Sequence, residues 1–374
     1  MPKILLSTTV RWPSAARLAG ALSESGCAVD ALFPDNHPLS ASRYPTTRFA
    51  YRALAPLASL AKAIHQSQPD LIVACDDRAV SHLRTLHEAA PEFRTVIEHS
   101  FGDPQSYAGL VSRSGFIAAA RQAGITAPET VSVDDEASLE FALRLIGLPA
   151  VLKADGSWGG DGVAIVQDID AARAAWRRLS ATPSRLRGLA RALRRKDAHY
   201  LAKPARPAIS LQRYIPGTPA TSSFFCWKGQ VIAANHFDVL NTCGTAGPAS
   251  VVKRVDDAAM EAAACRLASQ FGLSGLHGLD YVRDAQGKPH LIEINPRATQ
   301  TSHLGFGPGH DLCAALAARA GGHGFGRTPI PGRAVALFPQ EWRRDRTSTW
   351  LKSAHHDVPW DDPRLVDACL ASNA

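Results

Sequence analysis

The sequence predicts an α/β fold divided into more than one domain. Three observations carry that reading. Short apolar strand runs alternate with Ala/Leu-rich helical stretches from the N-terminus to about residue 108. Two glycine-turned hairpins lie in the second half. The chain of 374 residues is also longer than one simple core encloses.

The elements come in chain order. "KILLSTTV" reads as a buried strand, and "PSAARLAGALSESG" as a helix ending at Gly26. "AVDALF" is the next strand, "PLASLAKAIHQSQP" a helix, and "DLIVACDD" a strand that ends in acids. Such alternation implies a parallel sheet with crossover helices, so residues 1–108 form an open α/β domain. No GxGxxG turn marks a dinucleotide site there. "SRSGFIAAARQAG" and "SLEFALRLIG" are helices, and "PAVLKADGSWGGDGVAIV" is two strands joined by a glycine-rich loop. "AISLQRYIPGTP" is a strand running into a turn, and "TSSFFCWKGQVIAANHFDVL" a hairpin turning at Lys228 and Gly229. "DDAAMEAAACRLASQFGL" is a helix with Asp at its start. "LHGLDYVRDAQGKPHLIEINPR" is a second hairpin turning near Gly287, and "HDLCAALAARAGG" a further helix. The tail mixes strand-like and Pro-rich pieces.

Composition narrows the class. Apolar residues make up 45% and charged residues 20%, as in a soluble globular protein. No apolar run is long enough for a membrane span. Arg11 interrupts the N-terminal apolar run too early for a signal peptide. The seven cysteines are scattered without CxxC spacing, which argues against a disulfide framework or structural zinc and points to a reducing cytoplasm. A formal net charge of +7 suits anionic ligands in general.

The second hairpin carries the chemistry. Leu291, Ile292 and Ile294 read as a buried strand, yet Glu293, Asn295 and Arg297 recur at every second position. Side chains two apart on a strand share a face, so a carboxylate, an amide and a guanidinium line up. Asp280 stands on the partner strand. Two acids and an amide oxygen suit Mg²⁺, which takes its other ligands from phosphate and water. An acid paired with Arg297 in a structural ion pair is the competing reading of the hairpin alone. In "KADGSWGGDGV", Gly156, Gly159, Gly160 and Gly162 free the backbone to approach anionic oxygens, and Lys153 can reach phosphate as a point charge. The plainer alternative is a glycine-rich hairpin turn.

Loop and acid hairpin, in this order, resemble the ATP-grasp superfamily, the ligase fold of biotin carboxylase and carbamoyl-phosphate synthase ATP-binding domains. The resemblance covers roughly residues 1–320. It implies an N-terminal Rossmann-like α/β domain (1–108), a small lid subdomain (109–210), a large subdomain with the metal hairpin (211–330) and a C-terminal extension (331–374). It implies that Lys153 and the loop 156–162 hold the ATP phosphates. Gln212 would face the adenine amine, with the backbone of Arg213 and Ile215 reading the ring edge. Asp280 and Glu293 would hold one Mg²⁺, Glu293 and Asn295 a second, with Mn²⁺ as a substitute. Arg297 would hold the acyl phosphate or its carboxylate precursor.

Three departures stand out. Arg113 replaces the lysine common before the lid, keeping the charge but not the shape. Thr218, Pro219 and Ala220 stand where an acid often meets the ribose. No bicarbonate-binding signature marks residues 236–254, although Arg254 is placed to contact the triphosphate. The implied activity is ATP-dependent joining of a small carboxylate to an amine or similar nucleophile. A bicarbonate-activating carboxylase, a carbamoyl-phosphate-type synthase and a non-catalytic ATP-binding regulator are the alternatives. The basic segment 173–206 reads either as a solvated helical face or as a docking surface for an acidic partner. It lacks the interleaved aromatics of a single-strand nucleic-acid binder. His236, His303 and His310 lack metal-ligand spacing. "TQTSHLGFGPGH" reads either as a source of acceptor contacts or as a hairpin-to-helix connection.

Overall fold

The computed structural model describes residues 1–155, 162–181, 192, 207–244, 247–322 and 324–371. Its backbone contacts divide into two compact units. The first comprises Met1–Tyr107, Pro219–Asp280 and Ile294–Ala374, the second Ala108–Thr218 and Tyr281–Glu293.

The first unit opens with strands β1 (Lys3–Ser7), β2 (Ala28–Phe33), β3 (Thr47–Ala50) and β4 (Leu71–Ala74), in the order β3-β2-β1-β4 and all parallel. The strand period of two explains why this sheet is apolar throughout. Ile4, Leu6, Val29 and Val73 enter one core cluster, whereas Leu5, Leu32 and Ile72 enter the cluster on the opposite face. Helices Ser14–Glu24 and Pro56–Ser67 connect β1 to β2 and β3 to β4, and helix Asp77–Ala89 follows β4.

The second unit holds β5 (Thr130–Ser132), β6 (Ala150–Ala154), β7 (Val163–Val166) and β8 (Ile209–Arg213), an antiparallel sheet in the order β5-β8-β6-β7. Ala150, Leu152, Ala154, Ile209 and Leu211 share one core cluster with Leu139 and Leu143 of helix Glu136–Ile146 and Ala172 of helix Ile169–Ser180. Alternation therefore turns Val151, Lys153, Ser210 and Gln212 to the other face.

The remaining strands are β9 (Thr218–Trp227), β10 (Gln230–Thr242), β11 (Ala249–Val255), β12 (Gly275–Arg283), β13 (Pro289–Asn295), β14 (Ala334–Ala336) and β15 (His355–His356), in the order β13-β12-β9-β10-β11-β14-β15. The turn between β9 and β10 needs left-handed backbone, which Lys228 (φ 48°) and Gly229 (φ 80°) supply.

The expected division differs from the observed one. The open α/β domain, most of the 211–330 region and the tail fall in one unit. One apolar cluster explains this, because Ile4 and Leu6 pack with Phe225, Leu276, Leu312, Leu365 and Cys369. The far half of the second hairpin groups instead with residues 108–218. Among the described residues, no helix is long and apolar enough to cross a membrane.

Candidate functional site

In the first unit, a chain of polar side chains runs from β9 through the second hairpin to the start of a helix. Thr221 Oγ1 donates to Asp280 Oδ1 at 2.8 Å, and Asn295 Nδ2 donates to Asp280 Oδ2 at 2.8 Å. Arg297 Nη2 donates to Asn295 Oδ1 at 2.9 Å, and its Nε to Asp77 Oδ1 at 2.9 Å. The Arg297 side chain is 19% exposed. Burial alone would lower its pKa, but Asp77 foremost, with Asp76 and Asp280, outweighs burial and raises it. Of the three residues that strand alternation puts on one face, Asn295 and Arg297 bond each other, Asp280 of the partner strand meets Asn295, and Glu293 bonds Arg113 in the second unit. Strand alternation does not reveal Asp77 and Thr221 as their partners. The acids closing "DLIVACDD" are the one local signal for Asp77.

The second unit gathers a separate group. Lys153 on β6 is 5% exposed and donates from Nζ to the Ile292 carbonyl at 3.4 Å. Arg113 begins helix Arg113–Gln122, where Ser112 caps the Gly115 amide at 3.2 Å. Its guanidinium donates to the Ala154 carbonyl at 2.6 Å and to Glu293 Oε1 at 2.8 Å. Asp155 lies 3.9 Å from the same guanidinium. Burial foremost raises the Asp155 pKa, Glu293 adds to the rise, and Arg113 opposes it. Arg113, Glu293 and Asp155 thus form one charged cluster, of which spacing does not suggest Asp155, and Lys153 bonds the backbone one residue before Glu293.

The residues expected at adenine occupy β8 and the segment just beyond its end. Gln212 is 3% exposed, and its Nε2 donates to Thr130 Oγ1 at 3.0 Å. Arg213 pairs with Glu129 at 3.1 Å, and Ile215 is half-buried. The Gly162 carbonyl accepts from the Ala154 amide at 2.8 Å. Gly156, Gly159 and Gly160 lie outside the described residues. Arg254 on β11 pairs with Asp256 at 3.0 Å and stands over the Phe306 ring at 5.7 Å.

The histidines are engaged. His236 bonds Ser222 Oγ at 2.7 Å and Glu261 at 2.8 Å, His303 meets Asp357 at 2.6 Å, and His310 contacts the Ala234 carbonyl at 2.7 Å. Of the basic segment, Arg173 and Arg177 project from an exposed helical face and pair with Glu140 and Glu136. Residues 182–191 and 193–206 lie outside the described residues.

Carboxylate and amide oxygens are the donor type that a hard cation which keeps water would take. Asp280 and Asn295 meet in one unit, and Glu293 precedes Asn295 by two on β13, on the same strand face. Among the described residues, no group of three His, Cys, Asp or Glu side chains forms a metal cage.

Residues 190–301 match the model of the ATP-grasp domain family. No curated protein sequence matches the chain. Among solved structures, the biotin carboxylase domain of Hydrogenobacter thermophilus 2-oxoglutarate carboxylase, a dimer complexed with MgADP, ADP and bicarbonate, is 15% identical over 88% of this chain and 71% of that one, with a TM-score of 0.62. Campylobacter jejuni biotin carboxylase is 14% identical over 87% and 72%, at 0.61. Aspergillus clavatus N5-carboxyaminoimidazole synthase, in complex with ADP and 5-aminoimidazole ribonucleotide, is 16% identical over 90% and 79%, at 0.60. At these identities the likeness establishes the fold.

Proposed function

We propose, on the premise that this chain is an ATP-grasp protein, that it is an ATP- and Mg²⁺-dependent ligase. It activates a small-molecule carboxylate as an acyl phosphate and joins it to an amine or similar nucleophile. The observation that supports this most is the Asp280–Asn295–Arg297 chain, which sets hard oxygen ligands beside a guanidinium fork.

In this reading Asp280, Glu293 and Asn295 hold Mg²⁺, or Mn²⁺ in its place. Lys153, Arg113 and the loop 156–162 hold the phosphates, and Gln212, Arg213 and Ile215 the adenine. Bound there, ATP with Mg²⁺ supplies the phosphoryl group and offsets charge as it is transferred. Arg297 orients the carboxylate, because a planar guanidinium matches two carboxylate oxygens. A carboxylate needs no base to lose a proton at neutral pH, whereas an alcohol does. His236 and His303 are both buried and engaged by carboxylates, which favours the carboxylate as acceptor.

A second reading takes bicarbonate as the carboxylate. The bicarbonate complex among the similar structures favours it. Against a purely regulatory ATP binder stands the full set of acids, amide, lysine and arginine. ADP release, measured with Mg²⁺ against pools of amino acids, small carboxylic acids and bicarbonate, separates these readings. Release that requires one carboxylate class and one nucleophile class supports the ligase. Release with bicarbonate alone supports the second reading, and ADP binding without turnover in any pool contradicts both.

A further inference from the structure

The acids that end β4 do more than close a strand. Asp76 is 8% exposed and accepts from Thr8 Oγ1 at 3.0 Å, the Thr9 amide at 2.6 Å, Thr9 Oγ1 at 2.8 Å and the Ala79 amide at 2.9 Å. It caps helix Asp77–Ala89 and is tied to the end of β1. The backbone at Asp77 is therefore held on two sides. Asp77 meets Arg297 across 220 residues of chain, while the Ala298 amide bonds the Ala74 carbonyl at 3.0 Å. Residues 74–77 thus form a shelf on which residues 295–298 rest.

The shelf fixes one orientation of the guanidinium. Nε donates to Asp77 at 2.9 Å, Nη1 to the Ala298 carbonyl at 3.3 Å and Nη2 to Asn295 Oδ1 at 2.9 Å. A guanidinium carries five N–H donors, so these bonds leave a ligand roughly two of them. Because Arg297 engages Asn295 Oδ1, the amide turns its Nδ2 toward Asp280. The orientation of one proposed metal ligand therefore depends on Arg297, and that of Arg297 on Asp77.

We infer that Asp77 is a positioning residue of the nucleotide–metal site: it clamps Arg297, and through Arg297 it sets Asn295 and Asp280 for Mg²⁺ bound with the nucleotide. The inference rests on the proposed function, since it presumes that Asn295 and Asp280 meet Mg²⁺. Outer partners of metal ligands act in this way, by restricting the ligand to one orientation before the metal arrives.

The test uses the full chain and ADP as probe, titrated calorimetrically with and without Mg²⁺. Three variants are compared with the parent: Asp77→Asn, Arg297→Gln and the double variant. Asp77→Asn should weaken Mg²⁺-dependent ADP binding by about tenfold and leave Mg²⁺-free binding unchanged. The double variant should match Arg297→Gln alone, because the carboxylate acts only through the guanidinium. Additive losses, equal losses with and without Mg²⁺, or no loss would each overturn the inference. A parent protein whose ADP affinity ignores Mg²⁺ would overturn the proposed function as well. A parent that responds to Mg²⁺, beside an Asp77→Asn variant that responds equally, would overturn the inference alone. A second readout does not depend on ligand. The Arg297 Nε–H resonance, assigned by its loss in Arg297→Gln, should be slow to exchange in the parent and fast in Asp77→Asn. Fast exchange in the parent overturns the inference even if the variant fails to fold.

Discussion

Glu293 meets Arg113 across 180 residues of chain, at 2.8 Å, with both side chains partly exposed. Removing its charge costs the fold little, since a partly exposed pair contributes about 1 kcal/mol. On the proposed function its cost to metal binding is much larger, because an amide would replace a hard anionic ligand. Glu293→Gln should keep the parent melting temperature to within a few degrees and lower Mg²⁺-dependent ADP release by at least about a hundredfold. Parent-like release from the folded variant, measured by a coupled ADP assay, would remove Glu293 from the metal set. The alternate spacing of Glu293, Asn295 and Arg297 is readable in the sequence because strand period is local. The partners Arg113 and Asp77 are not, because nothing local records which distant helix start meets a strand.

Hairpins are the most legible elements, since their turns are chemically local. Lys228 and Gly229 turn one, and Gly287 (φ 78°) the other, as expected. Short strands are not legible. Thr47–Ala50 is mostly exposed and Ala334–Ala336 has only three residues, too few to show a period. Helix Asp77–Ala89 is absent from the sequence reading, although Asp76 supplies its cap. That cap is also a cross-link to β1 through Thr8 and Thr9. Asp76→Ala should therefore cost more than an ordinary cap, about 2–3 kcal/mol, read as a lower urea midpoint with unchanged slope. A loss no larger than that of an isolated helix cap would mean that the β1 contacts add nothing.

At the scale of the whole molecule, the tail is part of the first unit. Leu365 and Cys369 lie in its largest apolar cluster, β14 pairs with β11, and Asp357 bonds both Arg17 and His303. A chain ended at residue 330 should lose the cooperative unfolding of this unit, as followed by near-ultraviolet circular dichroism on heating. A native-like transition in the shortened chain would show the tail to be an appendage. Glu341 is fully buried. Burial alone would raise its carboxyl, but bonds from Arg344, Ser348 and Ser250 outweigh burial and hold it at about 2. A carboxyl with a folded pKa below its ordinary value stabilises the fold above that ordinary value, and the contribution fades as pH falls toward the folded pKa. The melting temperature should therefore drop between roughly pH 4.5 and 2, less steeply in Glu341→Gln than in the parent.

Fold class is legible at this scale from strand–helix alternation. The merging of the N-terminal sheet with the later strands is not, because side-chain packing between distant segments sets it. The central claim is that a carboxylate becomes an acyl phosphate, and hydroxylamine trapping tests it most directly. The protein is incubated with Mg·ATP, the carboxylate that supports ADP release, and hydroxylamine in place of the natural nucleophile. The account predicts a hydroxamate formed in step with ADP and lost in Glu293→Gln. ADP released with a stable phosphate ester and no hydroxamate would contradict it.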